Sequence, residues 1–149
     1  MKRSRVPFSA KLRPEMKASV VADPKGRGKM LLPTPLLVAE EISKVSRGSL
    51  TTLPEIRNNL ARRFKADLAC PLMTGIFYNL LAGAAEEQLA AGQEPVAPYW
   101  RVVLEGGVLS PKTPDGPKRQ AKRLEEEGHK IVARRAKLVV ADFGEHPGS

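Results

Sequence analysis

Apolar residues recur at three- and four-residue spacing through the middle of the chain, the period of helices with one buried face. Val38, Ile42 and Val45 mark the first such face. Thr34 is placed to cap it, Pro35 opens it, and Gly48 stops it. Thr52-Leu53-Pro54-Glu55 has the form of a capping box. Leu53, Ile56, Leu60 and Phe64 then predict a second helix ending near Lys65-Ala66. A third helix is predicted over 70–90, closed by Gly92, with Met73, Phe77, Leu80 and Ala84 as its buried stripe. Thr74, Gly75 and Tyr78 then fall on its other side.

Beyond a Pro-rich connector at 93–98 the period changes. Residues 98–103 read as a short apolar strand, Gly106-Gly107 as a turn, and Val108-Leu109 as a second strand, which predicts a hairpin. A loop at 111–117 leads into a basic helix over 118–127, stopped by Gly128. Ile131-Val132 and Leu138-Val139-Val140 form two more candidate strands around Arg134-Arg135. Residues 1–29 read as a basic, flexible arm with a turn at 23–28, residues 30–141 as one domain, and 142–149 as a loose tail. The order predicts an α+β, mainly helical chain: a winged helix-turn-helix-like domain with a small β-hairpin.

Composition narrows the class. An apolar content of 42% over 149 residues suits one globular domain with a real core. No apolar run is long enough for a membrane span, so no membrane partner is expected. The single cysteine, Cys70, excludes an internal disulfide framework or a Cys-rich zinc site. It also makes the cytoplasm the expected compartment, with association to the nucleoid when DNA is bound. No metal and no cofactor are expected. The charge of +9 is concentrated at the ends. Residues 1–30 carry 9 Lys/Arg against 2 Asp/Glu, and residues 111–149 carry 9 against 6. Such an arm and patch attract phosphate through counterion release, which points to nucleic acid.

Pro98-Tyr99-Trp100-Arg101-Val102-Val103 resembles the Pro-Cys-His-Arg-Val signature of the O6-alkylguanine-DNA alkyltransferase and alkyltransferase-like family. Three further segments match in the same order. They are Leu50 to Ile56 at the helix-turn-helix entry, Gly107-Val108-Leu109 after the signature, and Arg123 to His129 at the terminal Leu-x-x-Glu-Gly-His. The resemblance covers about residues 30–131 and implies double-stranded DNA as partner. It implies a monomer that flags lesions for excision-repair proteins. In the alkyltransferases a thiolate takes the alkyl group. Here Tyr99 and Trp100 stand at the cysteine and histidine positions, and only Glu127 survives of the reactive set. The resemblance therefore implies a non-enzymatic DNA-binding protein, with alkylated guanine as its ligand. Two groups used by the family to extrude a base are also replaced: the tyrosine by Leu53, and the stacking arginine by Pro71 or Leu72. DNA binding is thus better supported than base flipping.

The expected lesion or base pocket is Tyr99, Trp100, Arg101 and Glu127. The alternative is that Trp100 packs in the core and Arg101 forms a structural ion pair with Glu127. The expected DNA contacts are Thr74, Gly75 and Tyr78 on the third helix. Arg57, Arg62, Arg63 and Lys65, with Lys118, Arg119, Lys122 and Arg123, are the expected phosphate contacts, against the reading that they are only a solvated surface. Cys70 is a possible reactive thiol at a helix start, or simply a small capping residue. Three other functions stay open: a winged-helix binder without lesion recognition, an alkyltransferase that uses Cys70, and a protein-interaction module that keeps only the fold and whose basic arm could equally meet RNA.

Overall fold

The computed structural model describes residues 16–141 and Phe143. Among them are strands β1 (Ser19–Ala22) and β2 (Lys29–Leu32), helix α1 (Pro35–Ser43), strand β3 (Thr51–Thr52) and helix α2 (Leu53–Arg63). Strand β4 (Leu68–Ala69), helix α3 (Pro71–Ala90) and strand β5 (Val102–Val103) follow. Helix α4 (Gly116–Glu126) and strands β6 (Ile131–Arg134) and β7 (Lys137–Val140) complete the order. The fold is α+β and helix-turn-helix-like, with a small hairpin, as the pattern predicts.

The helix starts follow from local chemistry. The Thr34 hydroxyl accepts from the Leu37 amide at 3.2 Å, and Pro35 occupies the first turn of α1. The Thr52 hydroxyl accepts from the Glu55 amide at 3.3 Å. Glu55 does not close the capping box on Thr52; its carboxylate accepts from the Thr51 hydroxyl at 3.1 Å. The core is one cluster that includes Leu31, Val38, Ile42, Leu50, Ile56, Leu60, Leu81, Tyr99, Val103 and Leu124.

Four expectations are corrected. First, the arm reading fails from β1 onward. β1 and β2 pair antiparallel around the predicted turn, and β2 pairs in parallel with β4. The Asp23 carboxylate accepts from the Lys25 and Arg27 amides at 3.2 and 3.0 Å and closes that turn. Residues 1–15, and the expected tail at 142–149 apart from Phe143, lie outside the described residues.

Second, residues 98–109 are not a hairpin. Tyr99–Arg101 is a turn of 3₁₀ helix, and β5 pairs in parallel with β3, Thr51 opposite Val102 and Thr52 opposite Val103. Gly106 and Gly107, both at positive φ (76° and 84°), send the chain instead to β7, where Val108 bridges Val139. The ribbon is β6–β7, closed by Arg135 and Ala136 at φ of 50° and 66°.

Third, the phase of α3 is shifted. Thr74, Tyr78, Leu81, Ala82 and Ala85 are buried; of the predicted stripe Ala84 is buried as expected, whereas Met73, Phe77 and Leu80 are only half-buried. Leu72 and Ile76 are left in solvent, 72% and 53% exposed. Fourth, Phe64 lies past the end of α2 and is exposed, its ring under the Arg63 guanidinium.

Candidate functional site

The parallel pairing of β3 with β5 sets the signature segment beside the start of α2. Helices α3 and α4 both pack against it. Gln120, in the buried stripe of α4, fixes the backbone. Its side-chain amide donates to the carbonyls of Trp100 and Val102 at 3.1 and 2.8 Å. The Tyr78 hydroxyl donates to the Tyr99 carbonyl at 3.1 Å. Burial pushes the Tyr78 phenol well above its ordinary range.

Tyr99 is fully buried, and its hydroxyl donates to a carboxylate oxygen of Glu86 at 2.6 Å. Glu86 also receives Arg123, whose Nη2 lies 2.8 Å away. Burial, reinforced by the adjacent carboxylate, drives the Tyr99 phenol far above its usual range. Burial raises Glu86 in turn, but donation from Arg123 and Tyr99 outweighs it and leaves the carboxyl below its ordinary value. Tyr99 is therefore a buried hydrogen-bond donor whose hydroxyl is committed to Glu86.

Trp100 packs edge-on to Tyr99, with ring centroids 5.4 Å apart, and only 8% of it is exposed. Its indole Nε1 donates to Glu127 at 2.9 Å. Arg101 grips the same carboxylate with Nε and Nη2 at 3.0 and 2.8 Å, while Nη1 donates to the Val45 carbonyl at 2.7 Å. Burial raises Glu127, yet the bonds from Arg101 and Trp100 prevail and hold it below the usual carboxylate range. The four residues expected to line a pocket do come together. They form a packed, hydrogen-bonded cluster and not an open chamber, so the core alternative for Trp100 and the ion-pair alternative for Arg101 describe them.

The surface candidates divide. Thr74 and Tyr78 are buried, and the Thr74 hydroxyl donates to the Cys70 carbonyl at 2.8 Å, so neither faces a partner. Gly75 stands on the outer side between Leu72 and Ile76. Arg63 is held by Glu41 and Glu40 at 2.7 and 3.0 Å, so it belongs to the α1–α2 contact. Arg62 is exposed and bonded to Asn59; Arg57 is half-buried. Lys118, Arg119 and Lys122 share the outer face of α4 with Asp115, which lies 3.9 Å from Arg119. Cys70 is half-buried at the start of α3 and caps nothing with its side chain.

Sequence reasoning missed Glu86, Arg123 as its partner, Gln120 and Arg47, which reaches the Glu126 carbonyl at 2.7 Å. A glutamine inside the buried stripe of α4, and a glutamate after the Ala-rich turns of α3, were the available signals.

No protein-family model matches the chain, and no curated protein matches it. Two solved structures do. S. pombe Atl1 in complex with damaged DNA containing O6-carboxymethylguanine superposes with a TM-score of 0.54 at 22% identity, over 75% of this chain and 91% of that one. This chain has the fold of that alkyltransferase-like protein. A second structure, S. pombe ATL in complex with DNA, aligns over the same shares at 23% identity with a TM-score of 0.47.

Proposed function

We propose that this protein binds duplex DNA through the outer face of the first turns of α3, in the manner of an alkyltransferase-like repair factor, and transfers no alkyl group. One observation carries the reading. Gly75 sits in the second turn of α3 with nothing within 4 Å of where a Cβ would stand, and its backbone is ordinary. The fold has no use for a glycine there, and such a residue costs roughly 0.5–1 kcal/mol relative to alanine. Bare backbone flanked by the exposed side chains of Leu72 and Ile76 suits close approach to a groove. Arg57 and Arg62 on α2, with Lys118, Arg119 and Lys122 on α4, supply phosphate contacts in this reading. The damaged duplex held by Atl1 supports it. The enclosed, protonated Tyr99 supports the absence of transfer.

A second reading is a helix-turn-helix binder indifferent to lesions. It is favoured by the burial of Tyr99 and Trp100, which leaves no aromatic wall for an extruded base. Titration of a labelled duplex, with and without one O6-methylguanine, at several salt concentrations separates the two. Preference for the modified duplex carries the repair reading; equal affinity carries the second. Absence of binding at low salt overturns both. An unchanged protein mass after incubation with methylated DNA is expected, and a mass gain on Cys70 would overturn the non-enzymatic part.

A further inference from the structure

On the β6–β7 side of the molecule a cleft of about 670 Å³ opens between the 108–112 loop, the start of α4 and the hairpin end. None of Tyr99, Trp100, Arg101 and Glu127 lines it. Its walls are apolar: Leu104, Val108, Leu109, Pro111, Pro117 and Leu138. Leu104, one of the lining residues, is a large apolar side chain left 41% exposed. The cleft is held by backbone and not by flexible side chains. The Leu109 amide donates to the Leu138 carbonyl at 2.8 Å, and Val108 bridges Val139. Small residues, Ala133 and Ala136, keep the hairpin wall thin.

The charge of the mouth is one-sided. Lys112, Lys118 and Lys137 reach it from the loop, the helix and the hairpin, and no carboxylate of the described residues lines it. The volume falls within the range of small-molecule sites, roughly 300–1,000 Å³. Apolar walls with cationic side chains at the rim match a molecule that is apolar along its body and anionic at one end. We propose that this cleft binds a small amphiphilic anion, a medium-chain or aromatic carboxylate. The proposal shares only Lys118 with the DNA-binding reading, and the variants that test it leave Lys118 in place.

Decanoate is the probe, with decanol as its uncharged match, and amide chemical shifts of the full chain are the readout. Saturable binding of decanoate is expected, with shifts confined to residues 104–112, 117–118 and 133–138. Decanol, lacking the anion, is expected to bind about fivefold or more weakly, and the Lys112→Glu/Lys137→Glu variant to weaken decanoate by a similar factor. Ala133→Trp places a large side chain in the cleft from an exposed strand position and is expected to abolish binding. Equal binding of decanoate and decanol would overturn the proposal. So would decanoate binding that ignores Ala133→Trp in a variant whose spectrum is otherwise native, or no saturable binding below about 1 mM, the weak end of specific recognition.

Discussion

The Tyr99 hydroxyl and the Glu86 carboxylate, 13 residues apart in the chain, share a 2.6 Å hydrogen bond within the core. The bond makes Tyr99 a structural element of the packed cluster. Tyr99→Phe removes one donor to a charged acceptor, while Arg123 still satisfies Glu86. Urea denaturation is expected to show a loss of about 1–2 kcal/mol. Tyr99→Cys restores a sulfur but opens a cavity, with a loss of about 3 kcal/mol. Its mass is expected to stay unchanged after exposure to O6-benzylguanine, because Glu127 is committed to Arg101 and Trp100 supplies no base.

Glu127→Gln tests the second half of the cluster. It leaves the Arg101 guanidinium, 14% exposed, without its counter-charge. Breaking one side of a buried pair costs about 3–5 kcal/mol. The lower end is expected here, since glutamine keeps one acceptor for Nη2 or the indole.

Acid should destabilise the fold through the same carboxyls. Glu86 and Glu127 both titrate below the ordinary 4.5 when folded. On acidification the unfolded chain therefore takes up protons first, and stability falls with pH. The contribution is full above the unfolded value and lost as the pH drops from about 4.5 through the lower folded values. Denaturation midpoints measured at pH 7, 5, 4 and 3 are expected to fall in that order, and Glu127→Gln to show a shallower decline. A flat profile would contradict the depressed carboxyls.

Gly75 offers a test in which stability and binding move in opposite directions. Gly75→Ala should raise stability by roughly 0.5–1 kcal/mol, since the site is open and helical. Gly75→Leu should keep most of that gain but block close approach, and weaken duplex binding about tenfold or more (~1.4 kcal/mol). Unchanged affinity in Gly75→Leu would move the interface away from α3.

The basic residues are expected to separate by role. Arg63→Ala should cost stability by breaking the ion pairs with Glu41 and Glu40 and leave the salt dependence of DNA binding unchanged. The triple change of Lys118, Arg119 and Lys122 to alanine should leave the fold intact. It should flatten the log–log salt slope by about 2–3, close to 0.9 for each phosphate no longer neutralised. An unchanged slope would free α4 from any part in binding.

The helix starts were legible because capping is local: Thr34-Pro35 and Thr52-Leu53-Pro54 hold their signal within four residues. The phase of α3 was not. The helix is apolar on nearly every side, so Met73-Phe77-Leu80 and Tyr78-Leu81-Ala85 both fit a buried stripe. Packing against α1 and the Tyr99 backbone chose the second. The hairpin at 98–109 misled for a related reason. Its first strand pairs with β3, about fifty residues upstream, and its second with β7, and neither partner can be read from spacing. The residues of the Tyr99 cluster were legible as neighbours through the motif order. Their enclosure was not, because it depends on Glu86 and Gln120, which lie outside the motif.

Arg101 joins the Val45 carbonyl just past α1 to Glu127 just past α4, across 56 and 26 residues of chain. A contact of that reach forms only after most of the polypeptide has collapsed, so the domain should fold late and as a unit. A proteolytic piece that ends before Glu127 lacks the carboxylate that holds Trp100 and Arg101, and a ribosome-bound nascent chain would gain that contact only once α4 has emerged.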